Sequence, residues 1–264
     1  MTSWQDTTIV VTGAAQGIGR ATVDHLVACG ATVAAWDLDA SVMDVFAGNP
    51  RVLASICDIT KDADVTAATA AAVAHFCPPG SARGPGGSAG IGGLVNNAGI
   101  GAYYDPVAMS EAEWDHVMSV DLKGAWMCVR RVLPELRRNG GGAIVNISSI
   151  HGRMTIAGMF PYAAAKAGVE GMTRSLALDL AAEGIRVNAL APGYVRTRLV
   201  EEYIDRSDDP AGTRETIHAS IPLHRMAEPI EIATTVEFLL SDRAGAITGA
   251  VIAVDCGLSV RFAS

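Results

Sequence analysis

The chain has 264 residues, half of them hydrophobic, and a positive mean hydropathy, which suits one α/β domain over residues 1–264 and excludes general disorder. A formal charge of −8 argues against nucleic acid, whose phosphates need a basic face, and against an acidic protein partner. No stretch approaches the roughly 20 consecutive apolar residues that span a bilayer, and the opening "MTSWQDTTIVVTG" has no basic leader, so a cytoplasmic protein without a membrane partner is expected. Five scattered cysteines form no CxxC and six histidines show no ligand spacing, so neither a disulfide framework nor a metal site is expected.

In chain order, "TTIVVTG" is a short β-branched run ending in glycine and reads as a buried strand. "GIGRATVDHLVACG" follows with helical spacing and a glycine stop. "ATVAAWD" and "RVLASICD" are further strands, and residues 62–76 are an alanine-rich helix. Residues 77–93, "CPPGSARGPGGSAGIGG", read as a flexible surface loop. "GGLVNNAG" is a fourth strand. Residues 110–138 read as one long helix opened by a capping box with Ser110 as N-cap and Glu113 three places on. "GAIVNISS" is a fifth strand, 161–183 a helix, "IRVNALAPG" a sixth strand, "PIEIATTVEFLLSD" a helix and "GAVIAVDCG" a last strand. Alternating strands and helices imply a Rossmann-type, doubly wound parallel sheet with helices on both faces. Residues 195–227 follow the sixth strand at its C-terminal end, where open α/β sheets bind ligands, and read as a substrate lid.

Two constellations carry chemistry. "TGAAQGIG" joins the first strand to the first helix. Gly13, Gly17 and Gly19 allow a tight turn and close backbone approach, and the helix N-terminus offers free N–H groups to a pyrophosphate. Asp37 ends the second strand, where a carboxylate accepts from both adenosine ribose hydroxyls and repels a 2′-phosphate. Its neighbour Leu38 offers no charge to offset that repulsion, so the expected cofactor is NAD. Asp58 ends the third strand beside the adenine position. In "YAAAK", Tyr162 and Lys166 lie four apart on a helix and share one face.

In five motifs, in order over nearly the whole chain, the sequence resembles the short-chain dehydrogenase/reductase family: "TGAAQGIG", "NNAG", "NISS", "YAAAK" and "PGYVRT". The resemblance implies that Tyr162 exchanges the proton at the substrate oxygen, that Lys166 favours its deprotonated form and holds the nicotinamide ribose, and that Ser149 hydrogen-bonds the substrate oxygen. Ser148 is expected to be structural. The implied cofactor contacts are Gly13, Gln16, Gly17, Ile18 and Gly19, then Asp37, Leu38, Asp58 and Ile59, then Asn97, Ala98 and Gly99. Pro192, Gly193, Val195 and Thr197 complete them beside Tyr162 and Lys166. Physical chemistry agrees, because free tyrosine ionises near pH ~10 and a neighbouring ammonium stabilises phenolate. One departure is Asp121 in "VDLKG", where the family usually has an asparagine that holds a water on a proton path to the lysine. Asp121 is expected to act with the catalytic set and to shift the pH optimum.

Expected pocket residues are His151, Arg153, Met154, Phe160, Tyr194 and Tyr104. The first expectation is NAD-dependent oxidation of a secondary alcohol: a sugar, polyol or cyclic alcohol. The alternative is reduction of a 3-oxoacyl thioester on a carrier protein, against which stand Asp37 and the acidic balance. A non-catalytic nucleotide-sensing scaffold is disfavoured by the intact Ser–Tyr–Lys set. The resemblance also implies a homotetramer acting on a small-molecule substrate, built through the two long helices and the last strand.

Overall fold

In the computed structural model, which describes Trp4, residues 7–77 and residues 90–261, the β-branched runs form seven strands. These are β1 (Thr7–Thr12), β2 (Thr32–Asp37), β3 (Val52–Ile56), β4 (Gly90–Asn96), β5 (Gly142–Ile147), β6 (Ile185–Pro192) and β7 (Val251–Val254). They lie in one sheet in the order β3-β2-β1-β4-β5-β6-β7, with every neighbouring pair parallel. Successive residues of a strand point to opposite faces. In β1, Ile9 and Val11 pack with Val23 and Leu26 of α1 (Gly17–Ala28) and with Ile232 and Val236 of the last long helix. Val10 packs on the other face with Val65 and Ala68 of the alanine-rich helix and with Val129 and Val132 beyond it. Both faces are covered, which is why these strands read as unbroken apolar runs rather than alternating ones. Burying each such side chain is worth about 1.5–3 kcal/mol.

The remaining helices are α2 (Val42–Val45), α3 (Asp62–Phe76), α4 (Glu111–Met118), α5 (Ala125–Asn139), α6 (Phe160–Leu180), α7 (Arg198–Asp205), α8 (Pro210–Ser220) and α9 (Pro229–Leu240). None among the described residues is long and apolar enough to cross a membrane. The strand order reverses between β1 and β4, which opens a crevice above their C-terminal ends.

Three sequence expectations change. Residues 90–93, expected in a flexible loop, belong to β4, and Ile91 is fully buried there. A Cβ on Gly92 would lie 2.8 Å from the Thr7 Cγ2 and one on Gly93 2.8 Å from the Ile9 Cδ1, so these glycines serve close packing. Residues 78–89 of that expected loop lie outside the described residues. The helix expected over 110–138 is interrupted by a π turn, Ser119–Gly124, between α4 and α5. The wider turn carries Asp121 inward to 2% exposure. The capping box at Ser110 is present. The helix expected to reach residue 183 is α6, which tightens into a 3-10 turn over Ala181–Glu183. Residues 195–227 hold α7 and α8, and their two ends meet in a bridge between Val195 and Ala227.

Candidate active site

The glycine loop is built against the end of β4. Gly13 has φ +64°, and a Cβ there would lie 2.8 Å from the Ala98 Cα. A Cβ on Gly19 would lie 1.9 Å from the Gly13 carbonyl oxygen, which no adjustment of a side chain could relieve. Thr12 fastens the two strand ends. Its hydroxyl accepts from the Asn97 and Ala98 amides, both at 3.0 Å, while the Asn97 side chain donates to the Thr12 and Gly13 carbonyls at 3.0 Å. Sequence reasoning passed over Thr12, whose only signal is its place before Gly13.

Asp37 stands beside this loop. Its Oδ2 accepts from the Ala15 amide at 2.8 Å and its Oδ1 from the Asp39 amide at 2.9 Å. Each oxygen keeps a lone pair for a further donor. Burial works against the Asp58 carboxylate, but Thr60 and Lys61 hold it below the usual range. A dinucleotide fits these residues. Gln16, Gly17, Ile18, Leu38, Asp58 and Ile59 line one end of a cavity of about 1140 Å³ together with Gly13 and Asp37, so the start of α1 opens into it as a pyrophosphate would need. Gly19 is packed beneath the loop and does not line the cavity.

Asn97, Ala98, Gly99, Pro192, Gly193, Val195 and Thr197 continue the same cavity to Ser149, Tyr162 and Lys166. Ser149 caps a 3-10 turn, Ile150–Gly152, and its hydroxyl accepts from the His151 amide at 3.3 Å. Tyr162 and Lys166 project from the first turns of α6. The Lys166 ammonium is buried, donates to the Ile147 carbonyl at 3.3 Å and lies 5.3 Å from the centre of the Tyr162 ring. Ser148 donates to the Lys166 carbonyl at 3.2 Å and so fixes the end of β5 to α6.

Asp121 does not line the cavity; it approaches Lys166 from behind, with 4.0 Å between Oδ1 and Nζ. The same oxygen accepts from the Ile100 amide at 2.8 Å, while Oδ2 is buried without a hydrogen-bond partner. Burial pushes this carboxyl up from its ordinary value, against the pull of Lys166, the Ile100 amide and His116. A Cβ on Gly99 would lie 2.8 Å from Asp121 Oδ1 and 3.2 Å from Lys166 Nζ, so only glycine fits over the pair.

Of the expected pocket residues, His151, Met154 and Tyr194 line the cavity. The His151 ring meets the Tyr162 ring edge-on at 5.8 Å, and its Nδ1 pairs with the Thr155 hydroxyl at 2.9 Å. Burial pushes its imidazolium down. Arg153 and Phe160, expected at the wall, are not there. Arg153 turns to α6, where its Nε donates to Glu170 at 3.0 Å, and Phe160 stacks on Trp114 of α4 at 6.0 Å. Tyr104 also lies off the wall; its amide donates to the Gly158 carbonyl. Tyr103 and Tyr203 line the cavity instead, and no motif marks either.

Known proteins resemble the chain throughout. A family model described as Enoyl-(Acyl carrier protein) reductase matches residues 13–259. A cis-4-hydroxycyclohexanecarboxylate dehydrogenase of Sinomonas cyclohexanicum is 41% identical over 254 residues, 94% of either chain. A 3-oxoacyl-acyl-carrier-protein reductase of Thermotoga maritima is 37% identical, covering 95% of this chain and 97% of its own. The ligand-free aldohexose dehydrogenase of Thermoplasma acidophilum matches in structure with a TM-score of 0.88 at 30% identity, covering 100% of this chain and 98% of that one.

Proposed function

The chain belongs to the short-chain dehydrogenase/reductase family, and on that premise we propose that it is an NAD-dependent oxidoreductase interconverting a secondary alcohol and a ketone. The alcohol is a sugar, a polyol or a cyclic alcohol. The observation that carries this reading is the convergence of Ser149, Tyr162 and Lys166 on one cavity whose other end is the glycine loop and Asp37. A dinucleotide held there supplies the hydride acceptor. In the oxidative direction Tyr162 takes the proton of the substrate hydroxyl. Ser149 donates a hydrogen bond to the same oxygen and orients it. Lys166, buried at 4% exposure, balances the negative charge that Tyr162 carries as base. Asp37 selects NAD by accepting from the ribose and repelling a 2′-phosphate. We extend the reading, on family membership, to a homotetramer built through the two long helices and the last strand; Trp126 of α5 and Leu178 of α6 are exposed on those helices.

The test is NADH formation at 340 nm with NAD⁺ and NADP⁺ in parallel, over sugars, polyols, cyclic alcohols and 3-hydroxyacyl thioesters. NAD⁺-dependent turnover of an alcohol is expected, and Tyr162→Phe lowers kcat by about 10²–10⁴-fold. Turnover of acyl thioesters alone, or with NADP⁺ alone, sinks the reading. It would favour a carrier-protein reductase, the activity named for the 37% identical relative.

A further inference from the structure

The cavity is poorest in positive charge where the cofactor phosphates would lie. Its lining from α1, β2, β3 and the turns beside them includes the carboxylates Asp37, Asp39 and Asp58 and, among the described residues, no cation. A pyrophosphate brings about two negative charges, and the N-terminus of α1 answers with about half of one. The carboxylates nearby add repulsion, so a tightly held pyrophosphate needs a cation from elsewhere in the cavity. Lys166 does not meet that need, because it lies at the Tyr162 end, held by the Ile147 carbonyl and facing Asp121.

The cation comes from α7, which is seated across the cavity. At its start the Thr197 Cγ2 would lie 3.3 Å from a Cβ on Gly17, and the Leu199 Cδ1 3.7 Å from a Cβ on Gly101. Tyr203 then stacks on Tyr103, with 5.9 Å between ring centres and 7° between planes. Arg198 stands between the first two contacts in sequence and lines the cavity. The Ser41 hydrogen bonds and, at longer range, the Arg198 charge hold the Asp39 carboxyl below its usual range, so Arg198 faces the glycine-loop end. Its Nε donates to Glu202 Oε1 at 2.6 Å, and Arg206 donates to Oε2 at 3.3 Å. Positions 198, 202 and 206 share one helix face. Two guanidinium groups against one carboxylate leave that face with surplus positive charge. Glu202 fixes the Nε side of Arg198 and leaves Nη1 and Nη2 without a partner among the described residues. Arg206 follows the last turn of α7, away from the Gly17 contact.

We propose, resting on the dinucleotide reading above, that Arg198 binds the cofactor pyrophosphate from the α7 side, opposite the glycine loop, with Nη1 and Nη2 donating to phosphate oxygens while Glu202 holds Nε. A guanidinium suits this place because its planar fork meets two oxygens at once, which a lysine ammonium cannot do. The same contact ties α7 to the cofactor and offsets the repulsion from Asp37, Asp39 and Asp58.

The experiment is calorimetric titration of ADP-ribose, 2′-phospho-ADP-ribose and adenosine into the native protein, Arg198→Met and Arg198→Lys. The side chain is mostly exposed, so its replacement leaves the core untouched. Arg198→Met should weaken ADP-ribose by about tenfold or more, the scale of lost hydrogen bonds to a charged group. Adenosine, which has no phosphate, should bind both proteins within about twofold. Arg198→Lys should fall between the two, keeping the charge and losing the fork. Raising sodium chloride from about 50 to about 500 mM should weaken ADP-ribose more in the native protein than in Arg198→Met, because one fewer charge is left to screen. Unchanged ADP-ribose affinity in Arg198→Met overturns the proposal, as do equal losses for ADP-ribose and adenosine, which would place Arg198 on the nucleoside. A loss confined to 2′-phospho-ADP-ribose also overturns it and assigns Arg198 to a 2′-phosphate. In each of these cases the native protein still binds ADP-ribose and the dinucleotide reading stands. Failure of the native protein to bind ADP-ribose at all sinks that reading, and the proposal with it.

Discussion

Lys166 is a buried ammonium with two kinds of neighbour, a phenol in front and a carboxyl behind. The pair with Asp121 is loose at 4.0 Å, and one carboxyl oxygen has no hydrogen-bond partner at all. Burial therefore outweighs the attraction and pushes the Asp121 carboxyl up. Wherever Asp121 is ionised, its charge partly cancels that of Lys166 and opposes a second anion on Tyr162. Asp121→Asn removes that charge at nearly constant volume. The acidic limb of the kcat/KM profile should then move to lower pH, because the base can form with less opposition. The limb is read by steady-state assays from pH 5 to 10. Superimposable profiles for the two proteins would show that Asp121 acts on packing alone. No periodicity or motif could have shown the missing hydrogen bond, since it depends on where the π turn places the carboxyl.

At the scale of elements, the catalytic geometry depends on how the Ser149 turn sits against α6. Ser148 ties the end of β5 to the Lys166 carbonyl, and Arg153 reaches from the turn to the buried Glu170. A Cβ on Gly152 would lie 2.8 Å from a Glu170 oxygen, so the turn is pressed onto the helix. Arg153→Ala strips Glu170 of its close partner and leaves Arg174 at 3.9 Å. The expected loss is about 1–3 kcal/mol in urea denaturation, the penalty of a buried acceptor left unsatisfied. Adding Glu170→Gln should recover much of it, because the uncompensated charge is then gone. A double variant as unstable as the sum of its parts would remove the clamp. Arg153 also shows what was legible in the sequence. The strands were, because buried parallel strands need unbroken β-branched runs and Ile9, Val10 and Val11 supply one. The glycine loop was, because its spacing and its place between a strand and a helix are local. Arg153 and Phe160 stand in sequence near Ser149 and Tyr162, but their directions are set by Glu170 and Trp114 on other helices. The π turn was hidden too. It lets Gly124 pack where a Cβ would lie 2.6 Å from Ile59, a contact across 65 residues.

Across the molecule, the parallel sheet puts every strand's C-terminal end on one edge, and the segment carrying α7 and α8 folds over that edge. Within this segment Ile204, Ile217, Ile221 and Met226 form a small buried cluster, against which Cys256 and Leu258 also pack. Its root is narrow. Beyond the Val195–Ala227 bridge it is tied by Arg196 to Glu228 at 3.0 Å and by Arg225 to both oxygens of Glu231 at 2.7 and 2.8 Å. Glu231 also accepts from the Glu228 amide at the start of α9, which joins the root to the main core. The Arg225 guanidinium, then that amide, hold the Glu231 carboxyl down at about 2, below its ordinary 4.5. A lowered value means that the contribution is complete above the unfolded value and is lost as pH falls through the folded one. Both side chains are more than a third exposed, so solvent screening keeps the contribution of the pair small. Glu231→Gln should therefore lower the melting temperature slightly at pH 7, and the gap to the native protein should narrow as pH falls from 4.5 towards 3. No gap at pH 7 would show that Gln caps α9 as well as Glu does and that the ion pair at the root of the segment adds no stability, while a gap of the same size at both ends would place the effect in packing rather than in the charge.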